Sequence, residues 1–197
     1  MKLSVSLQES NSRGELLLRT LFGWLYIYLP HGFVLIFMGL WGSILHFISW
    51  WVILFTGRYP QSNFEYQVKL MRWQLRVNSR AYNLCDGYPA FGLDAVDENI
   101  TFEVEYPESL SRGLLLLRTF FGALYVGIPH GFLLFFIAIG AFFVNFISWW
   151  AILFTGRYPA GMHDYIVSMI RWSNRVNLYM LNMTDNYPPF TGKEIES

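Results

Sequence analysis

Two histidines, His31 and His130, each sit between a proline and a glycine, ninety-nine residues apart. Imidazole pairs hold metal ions or haem iron, so a pseudo-two-fold arrangement that brought the two rings together would make a redox or metal subunit. Each position supplies one nitrogen ligand, however, with no carboxylate or cysteine beside it. A histidine satisfied at a helix turn is therefore the stronger expectation, and no cofactor is expected.

A second constellation is basic. Arg58, Arg72 and Arg76, and after ninety-nine residues Arg157, Arg171 and Arg175, could hold a phosphate by charge-assisted hydrogen bonds, as a lipid headgroup would require. Trp50, Trp51 and Tyr59, with Trp149, Trp150 and Tyr158, stand beside them, and such rings anchor a chain at a membrane interface. An internal salt-bridge network is the competing reading, because Glu65 and Asp164 fall near the same helix face. Signatures of enzymes are missing from the sequence: there is no glycine-rich phosphate loop, nucleophile elbow, paired-cysteine motif or His-Glu-x-x-His. The basic residues do not interleave with exposed aromatics as nucleic-acid binding would need, and the net charge is zero.

The elements that must position these residues are legible in the composition. Of 197 residues, 54% are apolar, 19% aromatic and only 14% charged, against about a quarter charged in ordinary soluble domains. No Asp, Glu, Lys or Arg lies between Arg19 and Arg58, or between Arg118 and Arg157. A crossing helix needs roughly 20 apolar residues, so each stretch has room for one long crossing or two short ones. No cleavable leader is expected from Met1 to Gly14, and the lone Cys85 excludes an internal disulfide framework.

Sliding the chain on itself by ninety-nine positions aligns it without a gap, with 46 identities over positions 1–92. Two tandem copies, 1–99 and 100–197, follow. Each is expected to hold a short strand, from the alternation of Leu3, Val5, Leu7 and of Phe102, Val104, Tyr106. A transmembrane or partly re-entrant helical hairpin should come next, about 14–56 and 113–155, turning at Pro30-His31-Gly32 and its counterpart. A basic amphipathic interfacial helix, about 60–84 and 159–183, completes the copy, with Lys69, Arg72, Arg76 and Arg80 as an outward stripe. Basic flanks recur at the same positions in both copies, which predicts a multi-pass protein with its termini and basic helices cytoplasmic. Arg19 is then expected to snorkel from a helix too short to cross comfortably.

The sequence FTGRYP, at Phe55 to Pro60 and Phe154 to Pro159, resembles an uncharacterised bacterial membrane-protein family, a domain of unknown function. Pro30-His31, Pro129-His130, Arg72-Trp73, Arg76-Val77, Arg171-Trp172, Arg175-Val176 and Asp185 to Phe190 belong to the same resemblance; Ala90 departs from it. It implies an integral domain of a bacterial inner membrane and no catalytic residue. The expected function is a non-enzymatic accessory or scaffold subunit engaging anionic phospholipid, another membrane protein or a second copy. A component of a lipid or amphiphile transport system is the alternative, and a redox subunit on His31 and His130 comes third.

Overall fold

Ser12 and Ser111 stand where a helix can start, and each hydroxyl accepts the N–H three residues on, from Glu15 and Leu114, at 3.3 Å. In the computed structural model, which describes residues 1–194, two long helices begin there: α1, Arg13–Thr56, and α3, Arg112–Thr155, each of 44 residues and each long and apolar enough to cross a membrane. A shorter helix follows each, α2 at Gln61–Ala81 and α4 at Ala160–Met180. Strands β1, Lys2–Val5, and β2, Ile100–Glu103, precede α1 and α3 and pair antiparallel, Leu3 opposite Phe102.

The expected break at Pro30-His31-Gly32 does not occur. The helix widens instead into a π turn at Trp24–Tyr28, and at Ala123–Gly127 in α3, and continues. Leu29 N–H reaches the carbonyl of Trp24, five residues back. That extra residue opens the hydrogen-bond ladder just where Pro30 lacks an N–H and would crowd a carbonyl, so the proline enters without ending the helix. The hairpin lies elsewhere, between α1 and α2, and turns on Gly57 to Pro60. Gly57 and Gly156 adopt φ of 70° and 71°, the left-handed helix stop that glycine tolerates best, and Pro60 and Pro159 precede the first turns of α2 and α4.

Down this hairpin, α2 runs antiparallel to α1. Asn63 donates to Ser49 at 3.1 Å, Gln67 to the Gly42 carbonyl at 2.6 Å, Tyr66 to the Met38 carbonyl at 2.8 Å and Trp73 to His31 at 2.8 Å. On its other side α2 meets the sheet: Phe64, Val68, Met71 and Leu75 share a core with Leu3, Val5, Ile100 and Phe102. The order of layers is sheet, then α2 with α4, then α1 with α3. The basic helices are thus a middle layer of the fold, covered by the sheet on one side and the long helices on the other.

That placement corrects the outward stripe. Arg76 is fully buried and donates to the carbonyls of Ala90, Gly92 and Ala95, while Arg175 donates to those of Thr191 and Lys193. Arg72 and Arg171 reach the strand carbonyls of Phe102 and Leu3 at 2.9 and 3.0 Å. Arg80 pairs with Asp97 at 2.6 Å and Lys69 with Asp94 at 2.6 Å. The stretch after Asp86 is thereby strapped along α2. A buried guanidinium is tolerable because its five donors find acceptors.

The two halves also clasp each other. Leu110 N–H donates to the Gly57 carbonyl at 2.7 Å and Asn11 N–H to that of Gly156 at 2.8 Å, so each N-terminal arm satisfies the end of the other half's long helix. Arg72 belongs to the first half and its strand carbonyl to the second; Arg171 and Leu3 reverse the arrangement.

Two outcomes follow. Gly57→Ala places a Cβ at positive φ, and thermal unfolding in detergent should show a loss of about 1–2 kcal/mol. Arg76→Ala should free the strap: limited proteolysis between residues 86 and 97 is expected to accelerate at least tenfold, since each charge-assisted bond lost is worth about 1.5–3 kcal/mol.

Candidate functional site

His31 sits one turn after the π turn, fully buried, with its Nδ1 taking the Trp73 indole N–H. Tyr88 and Phe91, from the chain after α2, close over it at ring-centre distances of 5.1 and 4.8 Å. His130 has the same enclosure: Trp172 donates to Nδ1 at 2.9 Å, Tyr187 lies 3.2 Å from Nε2, and Phe190 stacks flat at 4.1 Å. Each ring is thus held in its own aromatic box, and no contact among the described residues joins His31 to His130. Nor do the described residues hold a group of three metal-ligating side chains. The Tyr-Pro ending of each half, Tyr88 to Phe91 and Tyr187 to Phe190, is the wall of that box.

Arg19 and Arg118 do not snorkel. Arg19 is buried and donates to Asn83 and to the Cys85 carbonyl, both at 3.1 Å, with Asp86 3.6 Å away. Arg118 donates to the carbonyls of Tyr179 and Thr184 and to Asp185 at 2.6 Å, and its guanidinium lies 4.6 Å from the Tyr179 ring centre. The same two aspartates accept the Ser12 and Ser111 N–H groups at 2.6 Å. One carboxylate per half therefore neutralises the arginine and caps the helix start. Cys85 is buried under this network, and burial pushes its thiol up to about 11, so it stays protonated and unreactive.

The expected interface anchors divide. Trp51 and Trp150 are exposed, stacked on Phe55 and Phe154. Trp50 and Trp149 instead donate across the halves to Thr119 and Thr20, each at 2.8 Å. Tyr59 and Tyr158 are buried; burial raises the Tyr59 hydroxyl to about 12 and lifts Tyr158 likewise. They belong to the core beneath the Gly-Arg-Tyr-Pro turn, because the clasp covers them: Tyr158 N–H donates to Asn11, and Tyr106 donates to the Tyr59 carbonyl.

Of the six arginines singled out by spacing, Arg58 and Arg157 are exposed, and their guanidiniums make no bond among the described residues. The fold gives each a neighbour that spacing alone did not reveal. Arg112 Nε would lie 3.8 Å from a Cβ on Gly57, and Arg13 Nη2 equally near one on Gly156, where Arg13 also bonds the Phe154 carbonyl at 3.0 Å. Two exposed arginines thus stand at the C-terminal turn of each long helix, Arg58 and Arg112 at one, Arg157 and Arg13 at the other. What brings the second arginine there is the arm's tie to the opposite turn, a contact between halves that local pattern does not carry. The negative end of a helix dipole suits each pair; Arg13 spends one donor on the Phe154 carbonyl, while the guanidiniums of Arg58, Arg112 and Arg157 make no bond among the described residues.

Beside each pair begins a long apolar surface. Leu25, Leu29, Phe33, Ile36, Leu40, Ile44, Phe47, Trp51 and Phe55 of α1 are all exposed, and so are their counterparts in α3. The opposite edge of α1, Leu16, Arg19, Ile27, His31, Gly42, Ser49 and Ile53, is buried.

No curated protein and no solved structure matches the chain. Residues 117–192, from within α3 to beyond α4, match the family model of a domain of unknown function, DUF4389.

Proposed function

We propose that the chain is a non-enzymatic membrane module of two tandem copies, an accessory or scaffold subunit of a bacterial inner membrane that holds anionic phospholipid at its paired arginines. The observation that carries this reading is the conjunction on each long helix of an exposed apolar face with two exposed arginines at its end. Water would leave that face unsatisfied, since a soluble monomer seldom exposes so large a contiguous apolar patch. Hydrocarbon satisfies it, and headgroup phosphates at the rim suit a guanidinium, whose donor fork fits them in two places. A role that binds and does not transform also agrees with the engagement of the groups able to react. His31 and His130 are boxed, Cys85 is held protonated, and the aspartates beside Arg19 and Arg118 serve structure.

The test is binding of the purified full chain to vesicles of phosphatidylcholine with or without phosphatidylglycerol, comparing wild type with Arg58→Ala/Arg157→Ala. A basic residue near an anionic surface is worth about 1 kcal/mol, so the double variant should lose roughly 30-fold in affinity for anionic vesicles. The loss should shrink in high salt, and thermal stability should stay unchanged because neither guanidinium is tied to the fold. Equal binding by both proteins to both vesicle types refutes the headgroup role.

A further inference from the structure

The arrangement of layers fixes which way the apolar faces point. Leu3 and Phe102, equivalent positions of the two halves, are directly opposite in the antiparallel pair. Opposed residues project to the same side of a sheet, and here both are buried against the α2 and α4 layer. The two-fold relation of the halves therefore passes between them, perpendicular to the sheet. The same relation exchanges Arg72–Phe102 with Arg171–Leu3, and Trp50–Thr119 with Trp149–Thr20. An axis normal to the layers keeps each layer on its own side. Since α1 presents its buried edge to α2, the exposed faces of α1 and α3 both point away from the sheet, in one direction.

Length and neighbours then oppose a crossing. Forty-four residues span about 66 Å, twice the ~30 Å of hydrocarbon. Even the charge-free part from Thr20 on would need a tilt of roughly 60°, outside the observed range of about 0–40°. Moreover, α2 lies against α1 from Ser49 to Ile27 and carries Glu65, Lys69, Arg72, Arg76 and Arg80, with the acidic strap bound to it. To draw α1 through a bilayer would draw that polar layer in as well. Exposed arginines cap both ends of each long helix, Arg13 and Arg58 on α1, Arg112 and Arg157 on α3. A helix in the plane would set all four at one headgroup level.

We infer that α1 and α3 lie side by side within one leaflet of an anionic phospholipid bilayer, their common apolar face in the acyl chains and the sheet, α2 and α4 outside it. The chain is then monotopic, and every loop sits on one side. This rests on the membrane reading above and replaces the expected crossings with none.

The experiment places a nitroxide on Leu25→Cys, Ile36→Cys and Phe47→Cys, one at a time, in the full chain bound to phosphatidylglycerol-containing vesicles. Depth is read from the collision ratio of oxygen to a nickel chelate. Wild type is the blank, because Cys85 is buried. In-plane helices give the three sites the same shallow depth, within a few ångströms. Leu25 and Phe47 are twenty-two residues apart, about 33 Å along the helix, so a crossing helix puts them near opposite surfaces with Ile36 deepest, and that profile overturns the inference while leaving the membrane reading intact. A chain that stays with the aqueous fraction at every lipid composition overturns both.

Discussion

The end of each long helix depends on the other half. A helix leaves its last carbonyls without partners, and in this chain the glycine that stops α1 or α3 offers its own carbonyl to the arm of the opposite half, Leu110 for Gly57 and Asn11 for Gly156. The left-handed turn at these glycines aims the carbonyl outward and starts α2 or α4 back along the long helix. From that one turn follow the antiparallel packing of α2 on α1, the burial of Tyr59 and Tyr158, and the position of the strands, which the arms carry across to the partner helix. Half a chain would leave the clasp open at both ends.

Arginine does the remaining structural work, in a way that looks costly until the acceptors are counted. Arg19, Arg76, Arg118, Arg171 and Arg175 are buried, and each gives at least one donor to a backbone carbonyl of a segment with no regular structure. Those segments need donors, because irregular backbone packed on a protein cannot satisfy its carbonyls by itself. Guanidinium groups supply several at once from a planar fork, and Asp86, Asp97 and Asp185 balance the charge. A lysine in the same places would offer a point charge and lose the geometry.

Much of this was legible in the sequence, and the failures are instructive. The uncharged stretches, the glycine stop with Pro60 and Pro159 behind it, and the alternation of Leu3 and Val5 come from local periodicity and propensity. Local pattern could not say that Pro30 passes inside a helix, because that depends on a π turn whose only cost is one widened rung. It likewise assigned the arginine stripe of α2 to the outside. A stripe at helical spacing says that residues share a face; whether the face meets water or a strap of carbonyls is a tertiary fact. For the candidate site, Arg58 and Arg157 were visible, whereas Arg13 and Arg112 enter it only through the clasp. Trp50 and Trp149, next to truly exposed tryptophans, were indistinguishable from anchors because the threonines that receive them lie 69 and 129 residues away.

Comparing the halves with each other distinguishes the two faces of the long helices on physical grounds. At the packed edge, Leu16, Arg19, Gly23, His31, Ser49 and Ile53 recur unchanged at their counterparts, and Ile27 and Gly42 change by a single methyl group, to Val126 and Ala141. Dense packing enforces this, since a core registers one methylene. On the exposed face Leu25, Phe33, Phe47, Trp51 and Phe55 also recur, but the same alignment sets Trp24 against Ala123, Leu21 against Phe120 and Ser43 against Phe142. Exchanges of that volume are easier where no packed neighbour within the chain fixes the shape, and all three positions are exposed. A fluid hydrocarbon neighbour, as the proposed function has it, would accommodate such exchanges.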